Sequence, residues 1–168
     1  APDPTHCPWR GLAAYDVDDA RWYAGRERLV AEVVSRMPGT RLLALVGASG
    51  SGKSSLMRAG LLAALRRDLL PGSAAWRVVA LRPGAHPMRE LTRRALSRVD
   101  GGGEVDTLLR ALVDGDPDTH DLDTGQRVVL AVDQLEEVWT LGHDEAERRQ
   151  FLDALGDLAT DPRSPVSV

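Results

Sequence analysis

The chain has 168 residues, of which 43% are hydrophobic, and a formal net charge of −4, so its size suits one α/β domain with a core. The acidic balance argues against a nucleic-acid-binding surface, which needs a basic stripe, and no apolar run approaches the roughly 18 residues that cross a bilayer. With the single cysteine Cys7 and no zinc-type Cys/His spacing, a reduced, cytoplasmic protein without direct nucleic-acid or membrane contact is expected.

The first half of the chain passes from an irregular pattern to alternating helix and strand. Prolines discourage helix in residues 1–25, which are expected to form an N-terminal arm ahead of a core over residues 26–168. An apolar stripe predicts a helix over residues 26–37, and the run RLLALV predicts a buried parallel strand over residues 41–46. A long amphipathic helix, with Gly60 on its sheet-facing side, is predicted over residues 53–70.

The second half repeats the alternation. The patterns predict strands over residues 76–81 and 127–132, helices over 87–99 and 104–113, an acidic loop over 114–125, and a strand beginning at 166–168. Asp144 and Glu147 form the pattern of an N-terminal capping pair for a helix that ends at Asp161. Strands that alternate with helices predict a parallel sheet covered on both faces, which is a three-layer α/β fold.

The segment GASGSGKS matches the phosphate-loop pattern G-x-x-x-x-G-K-[ST] at every defined position. Its glycines let backbone N–H groups converge on an anion, and the N-terminus of the following helix adds partial positive charge. Lys53, the only lysine in the chain, is expected to reach the β- and γ-phosphates, and the Ser54 hydroxyl is expected to bind Mg²⁺. The residues predicted to bind nucleotide here are Gly47, Ala48, Ser49, Gly50, Ser51, Gly52, Lys53, Ser54 and Ser55.

The strand predicted over residues 127–132 ends in the acidic segment DQLEE. Ligands bind at the carboxyl ends of strands in open α/β sheets, so Asp133 is predicted to hold the hydration shell of Mg²⁺. A helix-capping aspartate is the alternative. Glu136 and Glu137 are candidates, alongside Lys53, for catalysis: one of the two glutamates, with Glu136 preferred, polarises the attacking water, unless both only favour the helix dipole.

Several segments resemble the STAND class of signal-transduction ATPases. WYAGRE at residues 22–27 is similar to the hydrophobic–Gly–Arg–Glu motif of STAND and origin-recognition-type AAA+ proteins. That motif packs against the adenine and ribose in those families, which implies nucleotide contacts for Tyr23, Gly25 and Arg26. The stretches that resemble the bacterial novel STAND NTPase branch are CPWRGL (7–12), LRPGAHP (81–87), VDQLEEVWTL (132–141) and DEAERRQFLDAL (144–155). DQLEE also resembles the NACHT-type Asp-Gly-hydrophobic-Asp-Glu signature, from which Gln134 and Glu136 depart.

The resemblance implies a P-loop NTPase of the additional-strand class with sheet order 5-1-4-3-2. The strand that begins at residues 166–168 would then lie between the strands over 41–46 and 127–132, so the sheet is expected to be truncated before that strand is complete, without its sensor residue and lid. STAND proteins link this domain to an effector and to a sensor of repeats, often WD-type propellers. Partners in the same polypeptide and self-association in the ATP-bound form are therefore implied.

The resemblance implies a nucleotide-dependent switch that binds ATP or ADP with Mg²⁺ and hydrolyses ATP slowly, and the segment alone is expected to be inactive. A guanine-specifying Asn-Lys-x-Asp motif is impossible, because the only lysine lies in the phosphate loop. A scaffold that binds nucleotide without hydrolysing it is the alternative. A small-molecule kinase is disfavoured by the Gly-Arg-Glu motif at residues 25–27 and by the lack of lid arginines.

Overall fold

The computed structural model of the chain describes residues 10–95, 127–161, 164 and 166–168. These belong to two compact units, one made of Ala1–Gly39 with Ala44–Ala74 and the other of Thr40–Leu43 with Ala75–Val168. The predicted helix over 104–113 and the acidic loop over 114–125 lie outside the described residues. None of the described helices is long and apolar enough to cross a membrane.

The first unit begins with more structure than its prolines predict. The prediction of an irregular arm over residues 1–25 is wrong for Val17–Trp22, which form a 3-10 helix. The Asp16 carboxylate accepts a hydrogen bond at the start of this helix, and the Asp19 carboxylate in return accepts the backbone N–H of Asp16 at 2.9 Å. All prolines of this region precede residue 9, so they do not oppose the reciprocal cap.

Two helical segments follow in the first unit. Helix α1 spans Glu27–Arg36, which confirms the helix predicted over 26–37. Helix α2 is a continuous helical segment with three parts: an α-helix over Lys53–Ser55, a π-helix over Leu56–Leu62 and an α-helix over Ala63–Arg66. The apolar faces of both helices are buried, with Val33, Val34, Met37, Leu56, Leu61, Leu62 and Leu65 in this core.

Helix α2 ends four residues before the predicted end at residue 70. Asp68 adopts the left-handed conformation, with φ 60°. The backbone N–H of Leu69 donates to the Ala64 carbonyl at 3.0 Å, and that of Asp68 donates to the Leu65 carbonyl at 2.9 Å. This is the paired hydrogen-bond pattern of a Schellman termination, which satisfies the last carbonyl groups and turns the chain away from the helix axis.

The second unit contains a parallel sheet of three strands in the order β1, β2, β3. The strands are β1 (Arg77–Leu81), β2 (Val128–Val132) and β3 (Val166–Ser167), each where the sequence predicts one. In register, Leu81 of β1 is opposite Val132 of β2, so both strands end at the same edge. A mixed helix–strand fold with a parallel sheet is thus confirmed, and the five-strand order remains a prediction.

The prediction of a buried strand over residues 41–46 is wrong. No strand is assigned there, and Leu42 and Val46 are 61% and 92% exposed. The backbone N–H of Leu43 donates to the Val168 carbonyl at 2.9 Å, and that of Val168 donates to the Arg41 carbonyl at 2.7 Å. The apolar run therefore has one short ladder contact, which is too little pairing to define a strand or bury its side chains.

Within the part of the chain that the structure describes, the second unit also contains helices α3 (Pro87–Ala95), α4 (Glu137–Thr140) and α5 (Glu145–Thr160). Helix α3 begins at the predicted residue, and the rest of the helix predicted over 87–99 lies outside the described residues. The helices pack on the sheet around a core of Val79, Leu81, Leu91, Val128, Leu130, Val138, Phe151, Ala154, Leu155, Leu158 and Val166. This core fixes the carboxyl edge of β1 and β2, where the acidic segment follows.

Candidate functional site

The segment predicted as a phosphate loop forms a closed turn that ends at its own lysine. The Lys53 ammonium donates to the carbonyl oxygens of Gly47 at 2.7 Å and Ala48 at 2.9 Å. Gly50 and Gly52 have φ of 75° and 87°, which only glycine adopts at little cost. The pattern therefore places a cation over a loop whose backbone conformation depends on its glycines.

The loop leads directly into helix α2. Gly52 is the residue before the helix, and its carbonyl accepts the first helical hydrogen bond, from the Leu56 N–H at 2.8 Å. The first N–H groups of a helix have no partner within it, and the helix dipole makes this end positive. Lys53, Ser54 and Ser55 are partly exposed at this end, so the arrangement suits an anion such as a phosphate.

Ser55, predicted to contact nucleotide, has a contact within the first unit. Its hydroxyl accepts the backbone N–H of Tyr15 at 3.1 Å. The Tyr15 ring lies 6.1 Å from the Tyr23 ring, at an interplanar angle of 51°. The hydroxyl therefore links the start of α2 to the segment that precedes the Gly-Arg-Glu motif, a role that the loop pattern alone does not indicate.

The Gly-Arg-Glu motif forms the start of helix α1. Gly25 has φ 82°, and its N–H donates to the Glu27 carboxylate at 2.8 Å. Hydrogen bonds from the backbone N–H of Glu27 itself and then of Gly25 lower the pKa of Glu27. Arg26 is exposed, while burial raises the pKa of Tyr23 and the Arg26 charge partly offsets this. In this motif glycine and glutamate shape the turn, while Arg26 is exposed beside it.

Gly60 of α2 has a role in the first unit that its helical pattern does not reveal. A Cβ atom on Gly60 would lie 2.8 Å from Val30 Cγ2 and 3.3 Å from Tyr23 Cε1. The absence of a side chain thus allows α1 and the Tyr23 ring to approach α2 closely. An isolated glycine inside an amphipathic helix is the sequence signal that could have indicated this contact.

The second unit places Asp133 directly after β2, at the carboxyl edge of the sheet. The Asp133 backbone N–H donates to the Leu81 carbonyl at 2.9 Å, which extends the β1–β2 ladder by one bond. Its carboxylate oxygen Oδ2 accepts hydrogen bonds from Arg82 Nε and Nη2, both at 3.3 Å. Arg82 was not among the predicted site residues, although its position directly after β1 puts it at the same edge.

Gln134 adopts a backbone conformation that accounts for the glycine at this position of the NACHT-type signature. Its φ is 58°, in the left-handed region that favours glycine. The resembled Asp-Gly-hydrophobic-Asp-Glu signature has glycine at this position. The backbone of Gln134 therefore adopts the turn that glycine allows, although the residue is glutamine.

The two candidate glutamates differ in their surroundings. The Glu137 carboxylate accepts the Gly84 backbone N–H at 3.1 Å, so Glu137 holds the loop that follows β1. Glu136 is exposed, and within the described residues its carboxylate forms no hydrogen bond or ion pair. The structure therefore separates a glutamate engaged with the protein from one that faces solvent.

The predicted capping pair of α5 is half correct. The Asp144 carboxylate accepts the backbone N–H groups of Ala146 at 2.8 Å and Glu147 at 3.2 Å, as a capping residue should. The Glu147 carboxylate instead accepts the Met88 N–H at 3.2 Å and lies 3.4 Å from His86 Nδ1. It caps helix α3 rather than its own helix, because α3 packs beside α5 and presents unpaired N–H groups.

Each of the two side chains that the sequence singles out for Mg²⁺ carries an oxygen donor of the kind that this ion prefers. The Ser54 hydroxyl and the Asp133 carboxylate are hard oxygen donors, which Mg²⁺ prefers, and Mg²⁺ usually keeps several waters and takes few protein ligands. Among the described residues no group of three or more His, Cys, Asp and Glu side chains is arranged to hold a metal ion.

A closed glycine loop that ends in lysine and opens a helix, together with a parallel sheet, is typical of P-loop NTPases. The family model described as Novel STAND NTPase 1 matches residues 8–168. The chain therefore belongs to this family of STAND NTPases. At the level that the family establishes, it is a nucleotide-binding P-loop NTPase domain.

Two further comparisons give no match. No curated protein matches the chain. No solved structure matches it either.

Proposed function

We propose that the chain is the ATP- and ADP-binding switch domain of a STAND-type signal-transduction or defence ATPase. Slow Mg²⁺-dependent hydrolysis of ATP would reset the switch, and the ATP-bound form would self-associate. The observation that carries the proposal is the phosphate loop, in which Lys53 lies over the Gly47 and Ala48 carbonyls at the N-terminus of α2. The family match supports the same reading.

Phosphate binding is assigned to the loop and the start of α2. Backbone N–H groups of residues 47–52 surround the phosphates, and Lys53 exchanges two neutral carbonyl acceptors for phosphate oxygens. Phosphate oxygens carry negative charge, so the exchange adds attraction between opposite charges to each hydrogen bond, which favours it. Tyr23, Gly25 and Arg26 take the adenine and ribose side, and the short distance between the Gly60 backbone and Tyr23 keeps that ring beside α2.

Magnesium binding and water activation are assigned to Ser54, Asp133 and Glu136. When bound, Mg²⁺ neutralises charge on the β- and γ-phosphates. The exposed Glu136 carboxylate orients and polarises the attacking water. Glu137 is less suited to this role, because its carboxylate is held by the Gly84 N–H.

Effector and sensor domains of the same polypeptide are the proposed partners of this domain, in a cytoplasmic setting. In this scheme ADP favours the closed form and ATP favours the open form. A ligand shifts such an equilibrium only through its different affinity for the two forms. The γ-phosphate is the group that differs between the nucleotides, so its contacts with Lys53 and Mg²⁺ must supply that difference.

A nucleotide-binding scaffold that does not hydrolyse ATP is the second candidate. It is favoured by Gln134 and Glu136, which depart from the resembled signature, and by the engagement of Asp133 with Arg82. Single-turnover hydrolysis of labelled ATP, measured in a polypeptide that carries the proposed effector and sensor domains, separates the two candidates. A switch hydrolyses ATP slowly and loses this activity in Glu136→Gln, whereas a scaffold shows the same background rate for both proteins.

The Lys53→Ala variant tests the proposed site. The substitution removes the cation that meets the β-phosphate, and we expect ATP and ADP affinity to fall by at least about 100-fold. Isothermal calorimetry with Mg²⁺ measures the effect. Arg28→Ala, which removes an exposed cation from α1, is the control and should bind like the wild type. Unchanged affinity in Lys53→Ala would exclude this loop as the binding site.

A further inference from the structure

We propose that Arg82 is a positioning residue that pairs with the Asp133 carboxylate in the absence of Mg²⁺ and competes with the cation for it. The inference deepens the proposed function and rests on Asp133 as the magnesium residue. It makes the Mg²⁺ requirement of the domain depend on a side chain outside both nucleotide-binding motifs.

The sheet places the two residues side by side. Leu81 and Val132 are opposite each other in the β1–β2 ladder, so Arg82 and Asp133 are the first residues beyond the carboxyl edge of adjacent strands. Both Nε and Nη2 of Arg82 point at the same carboxylate oxygen, Oδ2 of Asp133, at 3.3 Å. The sheet register therefore brings the pair together without any loop rearrangement.

The two partners differ in burial. The Asp133 side chain is 7% exposed, whereas that of Arg82 is 46% exposed. A buried carboxylate requires a compensating cation or hydrogen bonds. The Arg82 guanidinium is partly hydrated in the pair and regains water when it leaves, so a divalent cation at Asp133 can replace it at low cost.

The backbone around Arg82 is held by contacts that do not involve its side chain. Pro83 and Pro87 are fully buried, and the Gly84 N–H is held by the Glu137 carboxylate. The start of α3 is held by Glu147 at the Met88 N–H. These contacts anchor the backbone after Arg82, and the pairing of Leu81 with Val132 anchors it before Arg82, so the exchange is confined to the Arg82 side chain.

The direction of the effect follows from the charges. Arg82 places a positive charge next to the carboxylate that is proposed to bind Mg²⁺. The ion pair between Arg82 and Asp133 must therefore open before the carboxylate binds the cation. Removal of that charge makes the local potential more negative and raises cation affinity. A residue that merely supported the fold would leave the Mg²⁺ requirement unchanged or increase it.

The experiment measures ATP affinity by calorimetry across a Mg²⁺ titration in wild type, Arg82→Gln and Arg82→Lys. We expect the Mg²⁺ concentration at half-maximal effect to fall by about five-fold in Arg82→Gln. In Arg82→Lys, which keeps the charge and loses the two-donor fork, we expect a shift in the same direction of about two-fold. Arg89→Gln is the matched control, because it removes an exposed charge that follows the same loop.

A second readout uses thermal unfolding with a chelator and then with excess Mg²⁺, both with ATP present. Arg82→Gln should unfold at a lower temperature in the chelator, since the ion pair between Arg82 and Asp133 is lost, and Mg²⁺ should raise its unfolding temperature more than that of the wild type. If Arg82→Gln does not fold, the shift in Arg82→Lys decides the question by itself.

An equal or higher Mg²⁺ requirement in the folded Arg82 variants would overturn the competition while leaving the proposed function intact. ATP binding that is independent of Mg²⁺ in the wild type would overturn both the competition and the magnesium role of Asp133. Phosphate-loop binding would survive that result, because Lys53→Ala tests it separately.

Discussion

The phosphate loop and the acidic strand end hold their functional side chains in different ways. Lys53 bonds to carbonyl groups five and six residues away in the chain. Asp133 and Glu137 bond to groups 51 and 53 residues away, on Arg82 and Gly84. The loop is thus organised locally, whereas the acidic strand end depends on the β1–β2 register and on the loop after β1.

The largest change in stability is expected at a long-range contact of helix α2, which follows the phosphate loop. Such a change would show that this region does not depend on local contacts alone. Gly60→Ala places a Cβ 2.8 Å from Val30 Cγ2, and we expect it to lower the free energy of unfolding by about 1–3 kcal/mol. Urea denaturation measures this. Gly156→Ala, in α5, has no heavy atom within 4 Å of the new Cβ and should stabilise by about 0.5–1 kcal/mol.

A double variant shows whether the Gly60 effect is steric. Val30→Ala removes Cγ2, so Val30→Ala with Gly60→Ala should lose less stability than the sum of the two single variants, with a coupling of about 1 kcal/mol. Strict additivity would mean that the cost has another origin. A stable Gly60→Ala would mean that the contact with α1 and Tyr23 is readily adjusted.

The sequence predicts the phosphate loop better than the acidic strand end, for a physical reason. Eight consecutive residues encode the loop, and apolar runs encode β1 and β2, so these could be predicted. The partners of Asp133 and Glu137 could not, because they depend on which strands pair. The same limit explains the error over residues 41–46, where an apolar run predicts a buried strand but burial depends on a neighbouring strand.

The two glutamates of the acidic strand end are expected to contribute differently to the free energy of unfolding. Glu137→Ala leaves the Gly84 N–H without its carboxylate acceptor, and we expect a loss of about 1–2 kcal/mol in the free energy of unfolding. Glu136→Ala should remain within about 0.5 kcal/mol of the wild type, since its side chain is exposed. Urea denaturation of the two variants side by side is the measurement. The reverse order of effects would contradict the separation of a structural from a solvent-facing glutamate.

The smallest change in stability is expected at the turn after Asp133. It tests whether the backbone conformation of Gln134 is strained. Gln134 has φ 58°, a conformation that costs non-glycine residues about 1–2 kcal/mol. Glycine removes this cost and adds unfolded-state entropy, so Gln134→Gly should stabilise by about 0.5 kcal/mol. Gln150→Gly, an exposed position inside α5, should instead destabilise by about 1 kcal/mol. Equal losses at both positions would show that the Gln134 side chain has a stabilising contact that outweighs its strain.

The proposal that the domain binds adenine nucleotides is tested by calorimetry. The wild-type protein is titrated with ATP, ADP and GTP, each with Mg²⁺. The phosphate loop and the Gly-Arg-Glu segment of α1 predict that both adenine nucleotides bind at least about ten-fold more tightly than GTP. Equal affinity for ATP and GTP would contradict the adenine-side role of Tyr23 and Arg26. The absence of binding by all three nucleotides would contradict the proposed switch itself.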